Sequence, residues 1–119
     1  MRGFKELKVW EKSHHLTLLI YQATKDFPKE ELFGLTSQMR RASSSIPANI
    51  AEGCGRNTST DFARFLHIAF GSASELEYHL ILARDLKLLS ADSYQNLENM
   101  LIEVKKMLTS FIKKLRADG

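Results

Sequence analysis

The chain has 119 residues, is 44% hydrophobic and 26% charged, and contains only two prolines. That is the composition of one ordinary globular domain, expected over residues 1–119, and it excludes a disordered chain. Seventeen basic residues against fourteen acidic ones leave a net charge of +3, a mild excess that permits a nucleic-acid partner without demanding one.

A single cysteine, Cys54, excludes an intrachain disulfide framework and suits a reducing, cytoplasmic setting. No apolar run approaches the ~20 residues of a membrane span, so no membrane association is expected. The first residues alternate charge with apolar side chains and do not read as a secretory signal. Asn57-Thr58-Ser59 fits the glycosylation pattern, but without such a signal it reads as a chance match.

Four amphipathic helices and no strand account for nearly every residue. The first is predicted over about residues 7–26. Leu7, Trp10, His14, Leu18 and Tyr21 recur at the helical period, and Val9, Leu16, Ile20 and Phe27 form a second stripe beside them. An arc that wide should touch two neighbours, or one neighbour and another subunit. Pro28 closes the helix.

The second helix is predicted over about residues 35–52, with an earlier turn at 28–33. Its core line is Leu35, Met39, Ala42, Ile46 and Ile50. Pro47 removes a backbone donor and frees the carbonyl of Ser43, which predicts a kink. Ser43, Ser44 and Ser45 can bond the backbone around it. Gly53 and Gly55 are expected to supply a left-handed residue that ends the helix.

The third helix opens at Thr58 or Ser59, with Thr58 and Asp61 reading as a capping box. Phe62, Leu66, Ala69, Ala73, Leu76, Leu80 and Ala83 form a heptad seam. Gly71 in its interior costs about 1 kcal/mol relative to Ala, and a close helix approach is the expected compensation. The fourth helix starts after Ser90, a good N-cap. Tyr94, Leu97, Leu101, Val104, Leu108, Phe111 and Leu115 make the cleanest seam in the chain. Short connections make successive helices antiparallel. The expected fold is all-α: an up-down-up-down antiparallel four-helix bundle.

Catalytic and metal readings find little support. His14 and His15 project about 100° apart on a helix, and His67 and His79 lie too far apart on one helix to share a ligand. His14 therefore reads as a hydrogen-bonded core histidine. Glu75 and Glu77 lie on different faces and form no catalytic carboxylate pair. Glu75 is expected to pair with Arg41, and Glu77 to be solvated. Cys54 has Arg56 nearby but no partner base in the sequence around it, and Gly53-Cys54-Gly55 is not a phosphate loop. No catalytic, metal or cofactor residue is assigned, and the chain is read as a non-enzyme.

The basic residues carry the functional expectation. Arg40 and Arg41 are adjacent on the second helix and Arg56 follows it. Lys105, Lys106, Lys113 and Lys114 decorate the fourth helix. Such residues neutralise phosphates, and oligomerisation would multiply the effect.

The segment 34–89 resembles one family closely. Gly34-Leu35-Thr36-Ser37-Gln38-Met39-Arg40-Arg41-Ala42 is followed by Ser45-Ile46-Pro47-Ala48-Asn49-Ile50-Ala51-Glu52-Gly53, and then by Ile68-Ala69-Phe70-Gly71-Ser72-Ala73-Ser74-Glu75-Leu76-Glu77. Together with the opening Leu7-Lys8-Val9-Trp10, this is similar to the bacterial four-helix bundle proteins encoded in intervening sequences of 23S rRNA genes. Cys54 stands where an aromatic is more usual and Ala73 where leucine is.

The resemblance implies a homopentameric ring. It also implies kinship with the accessory variability determinant of diversity-generating retroelements, which binds nucleic acid and a reverse transcriptase. The expectation is a non-enzymatic homo-oligomer that binds RNA or DNA, with itself, nucleic acid and a reverse transcriptase or other protein as partners. The alternative is a protein-interaction scaffold that binds no nucleic acid.

Overall fold

The computed structural model describes residues 3–118. Four helices, α1 (Lys8–Thr24), α2 (Ser37–Cys54), α3 (Ser59–Asp85) and α4 (Ala91–Asp118), form an elongated bundle of 45 × 23 × 20 Å, with no strand among the described residues. Each helix packs on its sequence neighbours and α4 returns to α1, so α1 and α3 sit diagonally. The expected all-α four-helix bundle is the observed fold.

The two seams of the second half fold as their spacing predicts. All seven seam residues of α3 are buried, and so are Tyr94, Leu97, Leu101, Val104 and Leu108 of α4. Near the end of α4 the fully packed position passes to Ile112, while Phe111 and Leu115 are half-buried. The Ser90 hydroxyl accepts from Ser93 N at 3.1 Å, and the Thr58 hydroxyl from Asp61 N at 3.1 Å, so both expected N-caps are present. α3 ends in a Schellman arrangement. Leu88 N donates to Ala83 O and Lys87 N to Arg84 O, both at 2.9 Å, with Lys87 left-handed at φ 63°.

Several expectations need correction. In α1 the stripe facing the core is Val9, Ser13, Leu16, Thr17, Ile20 and Thr24, so His14 is no core residue. It lies exposed, stacked on Trp10 with ring centroids 5.1 Å apart. The hydroxyls of Ser13, Thr17 and Thr24 fit the core because each reaches a backbone carbonyl of α1 one turn back.

Neither Gly53 nor Gly55 is left-handed. Gly53 lies inside α2, where an added Cβ would fall 2.8 Å from Phe65 Cβ and 2.9 Å from Phe62 Cδ1. The close approach expected at Gly71 is therefore made at Gly53 instead, while Gly71 is exposed with nothing within 4 Å of its Cβ position. Glu77 is half-buried and paired, as described below.

The α1–α2 connection, residues 25–36, is longer than expected. It contains a 3₁₀ turn, Lys29–Glu31, and a π-helical turn, Leu32–Thr36, interrupted at Gly34. α2 then runs unbroken through Pro47. The Ser43 carbonyl that Pro47 cannot bond is met from α1 by the Thr17 hydroxyl at 2.9 Å, whose one proton is shared with Ser13 O at 3.0 Å. A helix–helix hydrogen bond thus replaces the missing intrahelical one.

Candidate nucleic-acid interface

The seven basic residues singled out by the sequence do not form one patch. Arg40 is half-buried and folded back on the end of α1. Its Nε donates to Thr24 Oγ1 at 2.9 Å, and its guanidinium lies 4.7 Å above the Tyr21 ring. Arg41, one residue on, points toward α3 and bonds Gln38 Oε1 at 2.9 Å and the carboxylate of Glu75, the expected partner. Arg56 pairs with Glu52 at 2.9 Å and covers the Phe65 ring at 4.6 Å. Lys105 is the most enclosed of the lysines. Its Nζ meets Glu77 at 2.7 Å and lies 4.9 Å from the Phe70 ring centre. Lys106, Lys113 and Lys114 stand exposed.

Beside the Arg41–Glu75 pair, His79 has its Nδ1 buried without a hydrogen-bond partner. Burial lowers its pKa below the usual 6.5; the charge of Glu75 opposes this and that of Arg41 adds to it. With its partners this is a structural cluster on the α2–α3 seam. Among the described residues, no group of three His, Cys, Asp or Glu side chains is placed to hold a metal ion. No helix there is long and apolar enough to cross a membrane.

A different grouping emerges when charge is read along the bundle axis. Cross-links between helices define the levels: Lys12 with Glu103, Ser45 with Ser72, and Lys105 with Glu77. One half of the bundle comprises residues 3–14, 46–71 and 104–118, and carries ten basic residues against five acidic ones, two of the ten, Lys12 and Lys105, being paired across the boundary with Glu103 and Glu77. The other half, 15–45 and 72–103, carries six against nine. The molecule therefore has a basic pole, built from the start of α1, the end of α2, the start of α3 and the end of α4.

At that pole the cleft between the first turns of α3 and the last turns of α4 gathers Arg64, His67 and Arg116 around Ser59 and Thr60. Arg116 donates to His67 Nε2 at 3.0 Å. Arg64 lies 5.0 Å from the Phe65 ring centre, so Phe65 carries two guanidiniums, Arg56 and Arg64. Sequence reasoning saw Arg116 only as the end of the basic run that starts at Lys105, and missed Arg64 and His67, because the three are spread over two helices. Pairing α3 antiparallel to α4 is the signal that brings them together.

The sequence profile of the 23S rRNA-intervening sequence proteins matches residues 5–110. The chain belongs to that family. A similar solved structure is a crystal structure from Bacteroides thetaiotaomicron VPI-5482, described as a protein with unknown function from the S23 ribosomal protein family. It shares 32% identity with this 23S rRNA-intervening sequence protein, and the match covers 88% of this chain and 95% of that one with a TM-score of 0.82. No curated protein matches. The family indicates no catalytic activity, and its function is unknown.

Proposed function

We propose that this chain is a non-enzymatic, homo-oligomeric bundle protein of the cytoplasm that binds RNA or DNA through its basic pole. The excess of basic residues at one end of the bundle, eight against five once the boundary pairs Lys12–Glu103 and Lys105–Glu77 are set aside, carries the reading. Exposed Arg64, Lys113 and Arg116 are the phosphate contacts, and Arg56 with Phe65 flanks them. Arg40, Arg41 and Lys105 act in the fold, held by Thr24, Glu75 and Glu77 on neighbouring helices, whereas Arg64 and Arg116 remain exposed beside Asp61 and His67.

Exposed apolar side chains support self-association. Leu18 and Tyr21 on α1, and Ile68 and Tyr78 on α3 with Leu86 just past its end, lie on diagonally opposite helices. Two different faces of that kind suit a head-to-tail ring, for which five subunits is the expected number. The same faces favour the second reading, a scaffold for protein partners such as a reverse transcriptase.

The deciding measurement is affinity for structured RNA and duplex DNA across a salt series. Phosphate contacts predict a steep fall between ~50 and ~200 mM salt, and a shallower slope for Lys113→Glu with Arg116→Glu. A protein that assembles but binds neither nucleic acid, or binds with no salt response, is the scaffold.

A further inference from the structure

The connection between α1 and α2 carries an apolar knob. Phe33 is 91% exposed and Leu32 beside it 49%, on the π-helical turn that Gly34 interrupts. Glu30 and Glu31 precede them, with Lys29 as the one local counter-charge. The Glu31 carboxylate holds the knob's shape by accepting from Leu35 N at 3.2 Å. No packing inside the chain accounts for Phe33.

A pocket of about 430 Å³ lies between the start of α1 and the last third of α4. Leu7, Met107 and Phe111 form its apolar lining, and Lys8, Lys106 and Lys114 stand around it. The pocket therefore pairs an apolar interior with a positive rim, and the knob pairs an apolar tip with a negative flank. The pocket belongs to the basic pole and the knob to the acidic half. They sit at opposite ends of α1, whose 17 residues span about 25 Å, so no chain can fill its own pocket with its own knob.

We infer that Leu32 and Phe33 of one copy insert into the Lys8–Lys106–Lys114 pocket of a second copy of this chain. The inference rests on the homo-oligomeric part of the proposed function and assigns it a joint. Used head to tail, knob and pocket differ on each subunit, so the contact is heterologous, giving a ring where the rotation between copies closes and an open chain where it does not. It leaves the α3–α4 cleft with Arg64, Lys113 and Arg116 outside the joint.

Sedimentation of the full chain and two variants tests this. Phe33→Ser removes the knob and leaves the pocket. Lys106→Glu with Lys114→Glu reverses the rim and leaves the knob. All three positions are exposed, and circular dichroism checks that the helices remain. Each variant alone is expected to dissociate, with Phe33→Ser weakening the joint roughly ten- to a hundredfold. An equimolar mixture of the two variants is expected to form dimers and no larger species, since it can make one good joint per pair.

If the wild type assembles and both variants keep its mass, this inference fails, the pocket belongs to another occupant, and the homo-oligomeric reading stands. Variants that dissociate but whose mixture stays monomeric, at a concentration where the wild type is assembled, overturn the pairing of this knob with this pocket. A monomeric wild type overturns both readings.

Discussion

Gly53 and Gly71 show how one residue type serves opposite ends in adjacent helices. At Gly53 the absent Cβ lets α2 settle on Phe62 and Phe65, and backbone is part of the contact, since Phe62 O would lie 3.2 Å from the added carbon. Gly53→Ala should therefore destabilise the chain by about 1–3 kcal/mol through overpacking. Gly71→Ala meets open space and gains helix propensity, so it should stabilise by about 0.8–1 kcal/mol. Urea denaturation of the two variants reads both signs; equal shifts would contradict the packing at Gly53.

His79 makes a pH prediction at the same scale. Its pKa is lowered in the folded chain, chiefly by burial, so below 6.5 the unfolded state binds more protons than the native one. The neutral ring's contribution is intact above pH 6.5 and is lost as pH falls through the lowered folded value. His79→Gln should remove that part of the slope. A stability profile with the same slope below pH 6.5 in both proteins would show that another group carries it.

At the scale of elements, legibility tracked how much the pattern had to say. In α3 and α4 a single apolar stripe runs the length of the helix, and every residue of the α3 seam is buried as its spacing predicts. In α1 two apolar stripes lie side by side, and periodicity alone cannot choose between them. The one that packs contains Ser13, Thr17 and Thr24, whose hydroxyls look polar in sequence but bond helix carbonyls in the fold. The unchosen stripe, with His14, Leu18 and Tyr21, stays exposed.

The candidate interface was half legible for a related reason. Exposed Lys106, Lys113 and Lys114 were visible as a basic run on one helix, but Arg40 and Arg41 are held by Thr24 and Glu75 on other helices. The contrast between stripes gives a test. Leu108, fully buried on the α4 seam, should cost about 2–5 kcal/mol when replaced by Ala, whereas Leu18→Ala should change the stability of the isolated bundle by less than about 0.5 kcal/mol. A small effect at Leu108 would mean that the seam does not face the core.

For the whole molecule the governing feature is polarity along a 45 Å axis. Beyond the boundary pairs Lys12–Glu103 and Lys105–Glu77, exposed charges of the acidic half that lie farther from the basic pole than the Debye length, about 8 Å at physiological salt, are largely screened from it. Arg40 and Arg41 belong to that acidic half. Arg40 ties α2 to the end of α1 through Thr24 and Tyr21, and Arg41 ties α2 to α3 through Glu75. Reversing both to Glu would leave the Tyr21 carbonyl facing a carboxylate and set two acids against each other at Glu75. The expected outcome is a stability loss of roughly 1–2 kcal/mol, small at the exposed Arg41 pair and larger at half-buried Arg40. Affinity for RNA at ~150 mM salt should stay within about twofold of the wild type. Thermal melts, sedimentation mass and RNA titration on this one double variant separate the possibilities. Lower stability with retained affinity places the phosphate contacts at the other pole. A sharp loss of affinity with unchanged mass and helicity would move the interface to α2 and would remove the basic pole from the binding reaction.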